Sequence, residues 1–130
     1  MKENIKLNNL PNYIPEKTKE IIFDFSNKIL SECEIVKIIL YGSYARNEAT
    51  EASDIDIAIF TDISEKNESF FEMRRYIYGE ISYNIEEKYN FEKSISPILL
   101  NIDKFKENIN SPYYQNIKNE GVCIYERTKS

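Results

Sequence analysis

Histidine is missing altogether from the 130 residues. That removes a serine- or cysteine-histidine hydrolase, a histidine-ligated zinc site and an ordinary histidine general base in one step. Cysteine is scarce. Cys33 and Cys123 have neither metal-type spacing nor a disulfide-rich context, so each reads as a small buried hydrophobe in a reducing cytosol. Cations are outnumbered, 17 Lys and Arg against 22 Asp and Glu, for a net charge of −5. Clustered positive charge is what displaces counterions from a nucleic-acid backbone, so no direct nucleic-acid partner and no templated polymerisation are expected. There is no signal peptide and no run of 18 apolar residues, which predicts a cytoplasmic chain without a membrane partner. Repeats, linkers and low-complexity segments are absent too, and the length suits one core, so residues 1–130 are expected to form a single domain.

What is present is an ordinary globular balance, 42% hydrophobic and 30% charged residues, far from a disordered composition. Residues 1–14 are polar and Asn-rich and are expected to form an irregular arm. Pro15 suits the first turn of a helix. From Glu16 to Glu32 the apolar residues Ile21, Ile22, Phe25, Ile29 and Leu30 recur at helical spacing, which gives one stripe for packing on a sheet. The opposite face, with Lys17, Lys19, Glu20, Asp24 and Lys28, reads as solvated.

The chain is organised around residues 38–60, which read as strand, glycine turn, short helix, loop, strand. The first strand, Ile35 to Tyr41, is β-branched and Leu-rich and stops at Gly42, where the missing Cβ lets backbone and ligand approach closely. Ser43 falls where the short helix would start. Its hydroxyl can cap that turn, whose free N–H groups and positive dipole end attract phosphate. The second strand, Asp54 to Phe60, opens with carboxylates at i and i+2, a spacing that sends both to one face. Two carboxylates beside a phosphate cradle form a hard-oxygen site suited to Mg²⁺ shared with a nucleoside triphosphate.

Gly42-Ser43, ten intervening residues, then Asp54-Ile55-Asp56 resembles the signature of the polymerase-beta nucleotidyltransferase superfamily. Tyr-Gly-Ser-Tyr-Ala-Arg and Ser-Asp-Ile-Asp-Ile-Ala are similar to its small prokaryotic branch, the minimal nucleotidyltransferase (MNT) domains. The resemblance extends over roughly residues 35–126 and implies an α/β fold of the polymerase-beta nucleotidyltransferase type, a short mixed sheet packed with helices. It implies Asp54 and Asp56 as catalytic and metal-holding residues, and Gly42, Ser43, Arg46 and Ser53 as nucleotide contacts. Arg46 offers a planar donor fork for a phosphate or for a partner carboxylate. Asn47 stands where the branch usually has glycine, and Asn is the next best residue for a left-handed backbone. Ser53 either orients a carboxylate or is a plain turn residue.

Thr61 to Asn67 reads as a turn, and Ser69 to Tyr89 as the longest helix, carrying Arg74 and Arg75. A third strand is expected at Ser94 to Leu100. The superfamily commonly places a third carboxylate on this strand to complete the metal site and accept the proton of the attacking hydroxyl. The preferred register puts Ser96 there. Glu92 shares the parity of Ser96 and would substitute only if the strand began early. General-base help is worth roughly 10²–10⁴ in rate, so its loss would cost catalysis more than metal binding. Pro97 cannot donate to a ladder, which predicts an edge strand or a bulge. Asp103 to Ile109 reads as a short helix, Ser111-Pro112 as the start of another that Gly121 ends, and Val122 to Tyr125 as a last strand.

The resemblance implies a Mg²⁺-dependent transfer of AMP from ATP to a hydroxyl. Likeness to MNT antitoxins implies that the acceptor is a tyrosine of a HEPN-domain toxin partner. Two alternatives stand beside it: an antitoxin acting by binding alone, and a small-molecule nucleotidyltransferase of the antibiotic-modifying type.

Overall fold

The computed structural model describes residues 6–128. Four strands, β1 (Lys37–Tyr41), β2 (Ile55–Thr61), β3 (Ile95–Asn101) and β4 (Val122–Glu126), form one sheet in the order β3-β2-β1-β4. β1 runs antiparallel to β2 and to β4, while β2 and β3 are parallel. The sheet is therefore mixed, as expected, with helices on both faces. The parallel pair requires a long crossover, and a helical stretch from Glu68 to Lys88 provides it.

Helix α1 (Glu16–Glu32) forms over the expected residues. It buries Ile21, Ile22, Phe25, Ile29 and Leu30 in one core with Ile38, Leu40, Ile55, Ile57 and Ile59 of the sheet. The solvated-face reading of its other side needs one amendment, because Asp24 accepts hydrogen bonds from Lys88 Nζ and the Tyr89 hydroxyl. The arm is irregular through its described part, and residues 1–5 lie outside the described residues. Residues 6–14 are nevertheless tied down. Asn8 donates its backbone N–H to Ile124 O at 2.8 Å, and Leu10 and Ile14 are buried.

The longest helix is present but not uniform. It comprises α2 (Glu68–Arg75), a π-helical segment (Tyr76–Ile81) and α3 (Ser82–Lys88). Gly79 sits inside the π segment, and Ser82 directs both its backbone N–H and its hydroxyl to Ile77 O. A mid-helix serine that bonds back to the chain competes with the regular ladder, and single π turns occur often at functional sites. Here the turn presents Tyr78 to the sheet edge, where its hydroxyl accepts the Leu99 N–H at 2.7 Å. β3 is that edge, as Pro97 foretold. Pro97 shares the parity of Leu99, whose N–H points away from β2, so the missing donor costs no ladder bond.

The opposite face is covered by α4 (Ile102–Glu107) and α5 (Pro112–Glu120). Ile39, Ala58, Phe60, Leu100, Phe105 and Ile117 form this second, smaller core. Asn101 and Ser111 cap the two helices through their side chains, and Pro112 takes the first position of α5. Gly121 ends that helix in an extended conformation. A Cβ there would lie 2.3 Å from Ile117 O and 2.4 Å from an Ile39 methyl. Among the described residues no helix is long and apolar enough to cross a membrane.

Candidate active site

The parity of β2 decides where the site lies. Ile55, Ile57 and Ile59 point into the α1 core, while Asp56, Ala58 and Phe60 share the face that carries α4 and α5. Asp56 is the first residue of that row and stands opposite Tyr41 on β1 and Ser96 on β3. Asp54 precedes the strand and is exposed, whereas Asp56 is half-buried.

Gly42 follows Tyr41 with φ of 76°, a conformation that a side chain disfavours. A Cβ at this position would fall 2.2 Å from Asp56 Oδ2. The glycine is thus required twice, by its dihedral and by the carboxylate that occupies the space where its side chain would be. After it the chain makes one turn rather than the expected short helix. Arg46 N–H bonds Gly42 O at 3.1 Å and Glu48 N–H bonds Ser43 O at 2.9 Å, and Asn47 then takes φ of 60°. Asn47 fills the left-handed role anticipated for it, and that reversal is why no helix continues. The Ser43 hydroxyl makes no hydrogen bond among the described residues, so its capping role is not realised, and it remains available to a ligand oxygen.

Burial, first, and the Asp54 charge, second, push the Asp56 carboxyl above the ordinary carboxylate range, and Arg46 opposes them. Arg46 itself is held elsewhere. Its Nε donates to Glu48 Oε1 at 2.6 Å and its terminal nitrogen to Glu120 Oε1 at 3.1 Å. It takes the partner-carboxylate option and anchors α5 to the motif turn. Ser53 accepts the Thr50 N–H at 2.8 Å, which makes it a turn brace and not an orienter of Asp54. Glu92 lies before β3 begins, in the turn after α3, so it does not complete the carboxylate set. Ser96 holds the position opposite Asp56, as the preferred register had it.

Tyr41, opposite Asp56 in the register, pairs with Tyr113 of α5, a contact that no local pattern announces. The Tyr41 and Tyr113 hydroxyls are 3.0 Å apart, with rings edge to face at 6.3 Å. Burial above all, then the bond to Tyr113 and the Asp56 charge, raise the Tyr41 phenol well above its usual range, so it stays a donor. Tyr41 was findable by counting back along the antiparallel register from Asp56. Tyr113 arrives on α5 from 72 residues away and left no local signal.

Among the described residues no three His, Cys, Asp or Glu side chains cluster as a metal site. The pair that is present still fits a divalent cation. Asp54 and Asp56 supply hard oxygen donors, the Asp54 charge disfavours that of Asp56, and Gly42 has no side chain to crowd the Asp56 carboxylate packed against it.

The nucleotidyltransferase domain family matches residues 20–123. The chain belongs to this family, a class of group-transfer enzymes whose chemistry generally uses a divalent metal. A Methanocaldococcus jannaschii chain named as a protein adenylyltransferase is 33% identical over 109 residues, covering 82% of this chain and 97% of its own length. Another of that organism, named likewise, is 28% identical over 107 residues, covering 81% and 96%. A third is 49% identical over 60 residues, covering 45% of this chain and 61% of its own. Among solved structures, a nucleotidyltransferase from Sulfolobus solfataricus has a TM-score of 0.49 at 20% identity, covering 85% of this chain and 78% of that one.

Proposed function

We propose that this chain transfers AMP from ATP to a tyrosine hydroxyl of a partner protein, in the cytoplasm, with Asp54 and Asp56 holding Mg²⁺. The observation that carries the reading is the closure of Asp56 over Gly42 with Asp54 beside it. Such an arrangement puts two carboxylates beside a turn that has no side chain of its own at Gly42. The protein adenylyltransferase names of the relatives support a protein acceptor.

Bound at the pair, Mg²⁺ would neutralise charge developing on the phosphates. The remaining work falls to the chain's own groups. The unpartnered Ser43 hydroxyl and the N–H groups of the motif turn hold the β- and γ-phosphates. Gly42 lets the chain approach them, and Tyr41 and Tyr113 offer hydroxyls along the wall where the acceptor enters. The acceptor oxygen bonds to the α-phosphorus, pyrophosphate leaves, and the phenol proton passes to water. Arg46 would meet the nucleotide in competition with Glu48 and Glu120, which hold its Nε and one terminal nitrogen. The partner we favour is a HEPN-type toxin, and the net charge of −5 suits a basic, RNA-binding surface.

One observation favours a second reading, an antitoxin that acts by binding alone. Ser96 faces Asp56 from β3, and a serine can neither complete a carboxylate triad nor take the acceptor's proton. The test is Mg²⁺-dependent transfer of labelled AMP from ATP to the protein encoded beside this one, comparing wild type with Asp54→Ala/Asp56→Ala. Label on the partner only with the intact pair is the expected result. No label from either form, with tight complexes from both, would leave binding as the function.

A further inference from the structure

A cleft of about 480 Å³ is bordered by the outer residues of the motif loop and by the start of α1, and by none of Gly42, Ser43, Asp54 and Asp56. The start of α1 is open towards it. Pro15 occupies the cap position and supplies no side-chain bond, and the first intrahelical bond is that of Lys19 N–H to Pro15 O. The N–H groups of Glu16, Lys17 and Thr18 therefore have no partner among the described residues, at the positive end of a 17-residue helix.

An uncapped helix alone would mean little. Thr18 supplies the independent observation. It is 2% exposed and lines the cleft, yet its hydroxyl has no hydrogen-bond partner among the described residues. Among the described residues, Ser26 Oγ is the fully sealed side-chain oxygen without a partner. The Thr18 oxygen is not sealed, so what remains of its surface opens on the cleft. A buried hydroxyl left unpaired costs free energy unless something from solvent meets it. Lys17, in the same helical turn, is exposed and has no ion pair among the described residues. Across the cleft the Lys93 ammonium donates to Glu51 O at 2.8 Å and lies 5.4 Å from the Tyr44 ring centre.

Helix N–H groups, a hydroxyl and a lysine bordering one cleft supply the kinds of donor that a phosphate site uses. Glu51 and Glu92 also border the cleft and oppose an extended polyanion, which favours one phosphate over a triphosphate. The volume suits a nucleotide-sized molecule, and the ring of Tyr13, 44% exposed, offers an apolar wall. We propose that this cleft binds a phosphate monoester of nucleotide size, its phosphate held by the first turn of α1, the Thr18 hydroxyl and Lys17. Because Tyr44, Asn47 and Thr50 of the motif loop form the far wall, an occupant would brace the loop that carries Ser43 at one end and Asp54 at the other. The inference does not depend on the transfer reaction.

The test is calorimetric titration of the metal-free protein in EDTA with AMP and, separately, with inorganic phosphate. AMP is expected to bind wild type and Asp54→Ala/Asp56→Ala alike, and its Kd to rise about tenfold or more in Thr18→Val and in Lys17→Glu. Tighter binding of AMP than of phosphate would support recognition of the nucleoside as well; equal binding would support recognition of the phosphate alone. Absence of heat with both probes, binding lost only in the aspartate variant, or unchanged affinity in Lys17→Glu would overturn the proposal. Lys17 is on the surface, so that last result stands even if Thr18→Val folds poorly.

Discussion

The two faces of β2 differ in what they do with the same backbone. On one face Ile55, Ile57 and Ile59 are each 0% exposed beneath α1; on the other Ala58 and Phe60 are as deeply buried, but the row begins with Asp56. The first face is an uninterrupted apolar surface, and its contribution is stability. The second gives its outermost position to a carboxylate whose charge is opposed by burial and by Asp54. A neutral side chain of the same size would carry no such charge penalty, so the carboxylate is held there against the preference of the fold.

The largest expected effect falls on the stabilising face. Phe25 of α1 is 0% exposed in the larger core, and Phe25→Ala should lower unfolding free energy by about 3–5 kcal/mol. Transfer per folded molecule should hardly change. Urea denaturation and transfer rate measured on the same samples will show whether the faces are separable; a matching fall in both would break the comparison.

The converse change is Asp56→Asn, which should lower transfer by about 10²–10³ while raising the thermal midpoint at neutral pH. The sign follows from linkage. A carboxyl raised in the folded chain keeps its proton where the unfolded chain has lost it. Its stabilising contribution is therefore full below the unfolded value and is lost as pH rises through the folded one. At neutral pH the charged Asp56 is a penalty, and Asn removes both it and the pH dependence. In wild type, Mg²⁺ binding should weaken as pH falls, since the proton and the cation compete for the same carboxylate. A midpoint that falls in Asp56→Asn would contradict the argument.

This division also explains what the sequence let one see. α1 was legible to the residue because Ile21, Phe25 and Ile29 obey a local period; β2 was legible from its apolar run, but it starts at Ile55, so Asp54 lies before the strand and only Asp56 takes its expected place on the site face. Ser96 and the edge position of β3 followed from Pro97 and one register count. The short motif helix failed because Asn47 reverses the backbone after a single turn, and propensity alone does not say when a chain turns back. The long helix was continuous by pattern, but Gly79 and Ser82 set a π turn that hydrophobic spacing does not register. Arg46 with Glu120, and Tyr41 with Tyr113, join residues 74 and 72 apart. Contacts of that span depend on how α5 packs, not on any local motif.

Gly42 joins the two faces, since it ends a buried strand and admits the carboxylate. Gly42→Ala should cost about 1–3 kcal/mol through its positive φ. It should also lower transfer, because the new Cβ meets Asp56 Oδ2 at 2.2 Å and the carboxylate must move. Circular dichroism melts and the labelled-AMP assay report the two losses. A variant that loses stability alone would mean that Asp56 can work from a displaced position.

The smallest expected effect concerns the tie between the motif turn and α5. Arg46 bonds Glu48 and Glu120 at the surface, and exposed ion pairs contribute little to folding, so Glu120→Gln should leave the denaturation midpoint unchanged. Its consequence lies in nucleotide binding. With Glu120 neutral, Arg46 has one carboxylate fewer to leave before it meets a phosphate, and the KM for ATP should fall a few-fold at low salt and less at high salt, as screening weakens the competing pair. Arg46→Gln should raise that KM while kcat changes little, because a guanidinium that binds phosphate equally in ground and transition states acts on affinity alone. If Glu120→Gln raises KM instead, the ion pair is holding the motif turn in its binding shape, and Arg46 belongs with the stabilising face rather than with the site.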